Sequence, residues 1–144
     1  MRFRHGFLLA AALSVSIAAC SQPADPGTDV VVPVEGGGQY TDITPDRLNG
    51  MLEDKDFTLV NVHVPYEGEI AGTELFVAFD QIGERLDELP PPDARIVLYC
   101  RSGSMSAIAA RELVATGYTD IWNLDGGMNA WRAQGYPLEE RRPD

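Results

Sequence analysis

Cysteine is nearly absent from this chain of 144 residues: there are two, Cys20 and Cys100. Two cysteines cannot build a disulfide framework. Positive charge is scarce as well. Eleven Lys and Arg stand against 22 Asp and Glu, for a net charge of −11. That balance excludes the basic footprint needed to bind nucleic acid. It also disfavours a basic clamp on anionic lipid, and the acidity reads as a solvated face. No cluster of His, Cys, Asp and Glu has metal-ligand spacing, so no metal is expected. No Gly-rich nucleotide loop is present, so no cofactor is expected either. No internal repeat is evident. The apolar run Gly6 to Ala19 is too short, and wrongly flanked, for a stable membrane span.

That run has another use. Met1-Arg2-Phe3-Arg4-His5 is a short basic start, Gly6 to Ala19 is apolar and small, and Ile17-Ala18-Ala19-Cys20 closes the segment. These are the three parts of a secretory signal peptide, here residues 1–19. Its end resembles the lipobox of bacterial lipoproteins: an aliphatic residue, two small residues, then cysteine. The resemblance implies cleavage before Cys20, lipidation of Cys20, and a membrane contact made by acyl chains. The protein is then expected in the cell envelope, lipid-anchored and facing the periplasm or the exterior. Ser21, by the habit of that family, leans towards the outer membrane. Loss of Arg2 and Arg4 takes the net charge from −11 to −13. Cys100 remains as a lone thiol in an oxidising compartment, which is more easily explained as a working group than as packing. Residues 20–39 read as the lipidated cysteine and a flexible tether rich in Ser, Pro, Asp and Gly. Val30-Val31-Val32 suggests an edge strand, but Pro33 and Gly36-Gly37-Gly38 argue against one.

The folded domain is expected over residues 40–138, with 139–144 as a tail. Thr44-Pro45 opens a helix, Thr as N-cap and Pro at the first helical position. Leu48, Met51 and Leu52 form its apolar face. Phe57 to Val64 is a β-branched, alternating strand ended by Pro65. Leu75 to Phe79 extends briefly. Asp80 is expected to cap a helix over Gln81–Leu89, stopped by Pro90-Pro91-Pro92. Arg95 to Tyr99 is a nearly continuous apolar run, as in a central parallel strand. Ser106 to Thr116 reads as a helix with Gly117 as its C-terminal cap. Ile121 to Leu124 is a strand, and Met128–Gln134 a last helix. Strands alternating with helices predict an α/β domain, a central and mainly parallel sheet flanked by helices.

One passage carries chemistry. Leu98-Tyr99-Cys100-Arg101-Ser102-Gly103-Ser104-Met105-Ser106 is a buried strand, a polar loop opened by a cysteine, and a helix start. A thiol there faces the unsatisfied N–H groups and positive dipole end of the helix, which favour an anion. The thiolate is the nucleophilic form of cysteine. Backbone N–H groups from Arg101 to Ser106 can ring the sulfur, and Gly103 lets the backbone curl without a Cβ clash. Arg101 can offer charge to an anionic donor.

Three blocks in order resemble a single-domain rhodanese, a thiosulfate-sulfurtransferase-like module. They are Leu59-Val60-Asn61-Val62-His63 with Pro65-Tyr66-Glu67; Cys100 to Ser106; and Leu124-Asp125-Gly126-Gly127-Met128-Asn129-Ala130-Trp131 with Gly135-Tyr136-Pro137-Leu138. The resemblance implies a rhodanese-like three-layer domain and a sulfur-transfer cycle. Cys100 is the catalytic residue of that cycle, taking sulfane sulfur from thiosulfate, a persulfide or a polysulfide. Arg101, Ser102, Gly103, Ser104, Met105 and Ser106 form the substrate-binding loop. The Cys100 persulfide passes its sulfur to cyanide, a small thiol or a protein cysteine. Related phosphatases and arsenate reductases carry arginine six positions after the cysteine; Ser106 stands there, which implies the shorter, sulfur-transferring loop.

Departures from the family are also visible. Asn61 and His63 replace an Asp and an Arg, and His63 reads as a hydrogen-bonding structural residue. The connection after Tyr66 is short, with Gly68-Glu69-Ile70 in place of Gly-His-Ile, which implies a more open pocket. Met105 occupies a position that is often basic, which implies weaker binding of the thiosulfate dianion and a less charged donor. Trp122, Trp131 and Tyr99 read as packing. The rival reading is a non-catalytic rhodanese-like interaction module tethered in the envelope; an intact Cys100 loop favours the enzyme.

Overall fold

The computed structural model describes residues 27–140. The signal segment and Cys20 lie outside those residues. Among the described residues, nine strands and α-helices follow in order: β1 (Val30–Pro33), β2 (Gln39–Ile43), α1 (Pro45–Leu52), β3 (Thr58–Asn61), β4 (Leu75–Phe76), β5 (Ile96–Tyr99), α2 (Ser104–Ala115), β6 (Ile121–Leu124) and α3 (Gly127–Ala133). The six strands form one sheet in the order β1-β2-β6-β5-β3-β4. β1 pairs antiparallel with β2, and the remaining pairs are parallel.

The sheet has period-two patterning, and each face has its own core. Along β5 and the residue that follows it, Ile96, Leu98 and Cys100 face one cluster while Val97 and Tyr99 face the other. Ala109, Ala110, Leu113 and Val114 of α2 cover the first face. Leu48 of α1 and Met128 and Trp131 of α3 cover the second. Small residues on α2 let it approach the sheet, and every residue of β5 is buried. The expected three-layer α/β arrangement is therefore what the chain forms.

Local signals act as their chemistry dictates. Thr44 Oγ1 accepts the Arg47 N–H at 3.2 Å, and Pro45 occupies the first turn of α1. At the end of α2, Gly117 takes a φ of +104°. The Gly117 and Tyr118 N–H groups donate to the Val114 and Leu113 carbonyls, which closes the helix.

Three expectations are corrected. The valine patch does form an edge strand, so the sheet starts at Val30 inside the stretch expected to be a tether. Pro33 is tolerated because it ends an edge strand, where a missing N–H costs little. Gly36, Gly37 and Gly38, all at positive φ, turn the chain back into β2, with the Val34 N–H donating to the Gly38 carbonyl at 3.1 Å. At the other end, Glu139 exchanges backbone hydrogen bonds of 2.8 Å with Glu69 and so belongs to the packed unit rather than the tail. Finally, Gln81–Leu89 is not a helix but two 3₁₀ turns, Ile82–Glu84 and Leu86–Glu88, without a side-chain cap. Gly83, in the middle of the first turn, sits so close to α2 that a Cβ there would lie 2.1 Å from Glu112 Oε1.

Candidate functional site

The carboxyl ends of parallel strands are where α/β sheets present their loops to ligands. Here β3 and β5 lie side by side, with Asn61 opposite Tyr99. The Val62 N–H donates to the Tyr99 carbonyl at 2.9 Å, so the segments after the two strands leave together. One carries His63 and Glu67, the other Cys100 and Arg101.

Cys100 is a free thiol with 1% of its surface exposed. Its Sγ accepts the Gly103 N–H at 3.1 Å and the Ser106 hydroxyl at 3.5 Å. The same hydroxyl also lies 3.1 Å from the Gly103 carbonyl, an alternative acceptor. Gly103 can present its N–H because its φ of +91° is open to glycine. Helix α2 starts at Ser104, two residues earlier than the sequence suggests. Ser104, Met105 and Ser106 therefore form its first turn, whose N–H groups have no intrahelical acceptor.

Of the loop residues singled out in the sequence, Gly103 and Ser106 are buried against the sulfur. Met105 is half-buried and packs on the core beneath α2. Ser102 and Ser104 are exposed, with their hydroxyls 3.4 Å apart. Arg101 is 56% exposed, and its Nη1 donates to both Glu67 oxygens, at 3.1 and 3.3 Å.

The third sequence block turns out to be the brace of this loop. The Met128 N–H donates to the Cys100 carbonyl and the Asn129 N–H to the Arg101 carbonyl, both at 2.9 Å. The first turn of α3 thus engages both carbonyls. In a trans peptide the N–H points opposite to the C=O, so the Arg101 and Ser102 N–H groups point away from α3. Gly127 makes the approach possible: a Cβ on it would sit 2.2 Å from the Cys100 oxygen. The sequence showed a Gly-Gly turn there but not its contact, which crosses from one loop to another.

His63 is buried, and its Nε2 lies 3.2 Å from Glu67 Oε2. The approach is off the line of a hydrogen bond, and neither ring nitrogen completes one, so the expected hydrogen-bonding role of the imidazole is not realised. Asn61 does that work instead. Its Oδ1 accepts the His63 N–H and its Nδ2–H₂ donates to the Gly68 carbonyl, both at 3.0 Å, which fixes the turn. Tyr99 is more than packing: its hydroxyl accepts the Ile70 N–H at 3.0 Å and lies 2.7 Å from Thr73 Oγ1. Burial pushes its pKa well up, so it stays neutral. The short connection after Tyr66 brings Glu67 onto Arg101. A groove of about 450 Å³ beside Lys55, Trp131 and Tyr136 does not include the cysteine loop. The thiol and its donors, not that concavity, locate the chemistry.

A covered, mainly parallel sheet with a buried thiol at a strand's carboxyl end, facing a helix N-terminus, defines an α/β domain built around a single buried cysteine. The family model that matches residues 44–134 is the rhodanese-like domain. The chain belongs to the rhodanese-like family. It is 36% identical over 101 residues to a sulfurtransferase of Allochromatium vinosum, covering 67% of this chain and 92% of that one. It is 31% identical to thiosulfate sulfurtransferase 18 of Arabidopsis thaliana, covering 76% and 79%. Some longer relatives are matched over only 25% of their length. Among solved structures, a rhodanese-like domain protein from Staphylococcus aureus superposes with a TM-score of 0.59 at 31% identity, covering 70% of this chain and 98% of that one. At the level of the family, the activity is sulfur transfer.

Proposed function

We propose that this protein moves sulfane sulfur through a persulfide on Cys100. The observation that carries the reading is the pair of donors on Cys100 Sγ, the Gly103 N–H and the Ser106 hydroxyl, at the start of α2. In the first half-reaction the Cys100 thiolate attacks the outer sulfur of thiosulfate. The new S–S bond forms as the S–S bond of thiosulfate breaks, and sulfite leaves with the electron pair. A persulfide or polysulfide donor reacts in the same way, releasing a thiolate or a shorter polysulfide. In the second half-reaction cyanide, a small thiol or a protein cysteine attacks the terminal sulfur and the Cys100 thiolate is restored. Donors that hold a thiolate also suit the terminal, negatively charged sulfur of the persulfide. The paired Arg101 and the apolar Met105 support a donor less charged than thiosulfate. Lipidation at Cys20, with placement in the cell envelope, is part of the same proposal and rests on the sequence of residues 1–20.

The test is mass analysis of the Cys100 peptide from the full chain, after exposure to thiosulfate or to polysulfide. A gain of one sulfur is expected, removed by cyanide and abolished in Cys100→Ser, with polysulfide loading faster than thiosulfate. No gain from either donor in a folded, reduced protein sinks the reading and leaves the interaction module.

A further inference from the structure

We propose that Glu67 is a specificity-determining residue, an internal anion that holds Arg101 beside the nucleophile and biases the site against anionic sulfur donors. The inference rests on the sulfur-transfer reading of Cys100 and adds the charge class of the donor.

Between Cys100 and Ser106, Arg101 is the only charged residue. It directly follows the nucleophile, so its guanidinium is the local positive charge an incoming anion meets. Yet both oxygens of Glu67 lie on its Nη1, at 3.1 and 3.3 Å, across a sequence separation of 34 residues. On its other side Glu67 lies against the buried His63, whose Nε2 is 3.2 Å from Oε2. Asn61 in turn fixes the backbone on both sides of this segment, at His63 and Gly68. The carboxylate therefore offsets the guanidinium. What remains around the sulfur is a set of neutral N–H and O–H donors. Those donors stabilise a charge on the sulfur itself, but they do not reward a second charge carried elsewhere on the donor. A neutral or lightly charged sulfane donor fits this site, and a dianion such as thiosulfate does not. Both side chains are partly exposed, so the pair is weak and its effect moderate, about tenfold rather than absolute.

Alkylation reads the field at Cys100 without any sulfur chemistry. The thiolate displaces iodide from iodoacetate, an anion, or from iodoacetamide, its neutral and similarly sized counterpart. An S–C bond forms as the C–I bond breaks. Because access to the buried thiol is common to both reagents, the ratio of the two rates reports charge. The full chain is used, with modification followed on the Cys100 peptide. Glu67→Gln is expected to raise the iodoacetate-to-iodoacetamide ratio about tenfold, and Glu67→Asp to keep it low. Adding Arg101→Gln to Glu67→Gln is expected to abolish the gain. A ratio unmoved by Glu67→Gln overturns the inference, as does a gain that survives the loss of Arg101. A shifted alkylation ratio in a protein that no sulfur donor loads leaves the charge role of Glu67 standing and sinks the sulfur-transfer reading.

Discussion

Two donors meet on Cys100 Sγ, and they are not equivalent. The Gly103 N–H is fixed by the backbone, whereas the Ser106 hydroxyl can turn between the sulfur and the Gly103 carbonyl. A rotating hydroxyl can follow the charge as it moves from thiolate to persulfide. Ser106→Ala should therefore slow sulfur loading at saturating donor by about tenfold, while stability falls by only about 1 kcal/mol. Ser106→Thr should restore much of the rate, since it keeps the hydroxyl. Stopped-flow loading and thermal melts separate the two effects; equal rates in Ser106→Ala and the parent protein would remove Ser106 from the mechanism. The sequence made Ser106 visible as the position where a phosphatase carries arginine. It could not show the hydroxyl's two acceptors, because those depend on where α2 begins.

At the scale of elements, the loop and α3 behave as one unit. Gly127 is the point of contact, at a φ of +55° and with no room for a Cβ beside the Cys100 oxygen. Gly127→Ala should melt at a markedly lower temperature, by roughly 2–4 kcal/mol of stability, and lose most sulfur loading. Gly50 provides the contrast. It is exposed in the interior of α1, and a Cβ there meets nothing within 4 Å. Gly50→Ala should gain about 0.5–1 kcal/mol and leave sulfur loading unchanged. Comparison of both variants by chemical denaturation and by mass shift on Cys100 checks the pair. The strand and helix that flank Cys100 were legible because β5 is a bare apolar run and α2 a long helix of small residues. The misread elements share a different cause. β1 is stabilised by pairing with β2 and by a turn of three glycines, and the 3₁₀ turns by close packing of Gly83 on α2. Both are tertiary facts that overrule local propensity.

The whole molecule carries far more acid than base, and one of its carboxyls lies between strands. Asp42 on β2 accepts the Asn123 Nδ2–H of β6 at 2.7 Å. Burial raises its pKa above the usual carboxylate range, opposed in part by that hydrogen bond. The folded chain thus holds this proton more tightly than the unfolded chain does. The associated stability is full below the ordinary carboxylate pKa and is lost as pH rises through the folded-state value. Asp42→Asn removes the charge and keeps an acceptor. It should melt higher than the parent at pH 7, by a few degrees at most, with the difference shrinking as the pH falls towards 4. A difference that is flat with pH would show that the Asp42 charge carries no such penalty.

The order of the chain gives the brace between α3 and the cysteine loop one more consequence. Cys100 is made before Gly127, Met128 and Asn129, yet its carbonyl and that of Arg101 are held by the last helix of the domain. A chain still being synthesised has the thiol but not the geometry around it. The loop around the thiol is braced only when α3 arrives and docks, so on the sulfur-transfer reading an unfinished molecule carries the sulfur atom without the chemistry.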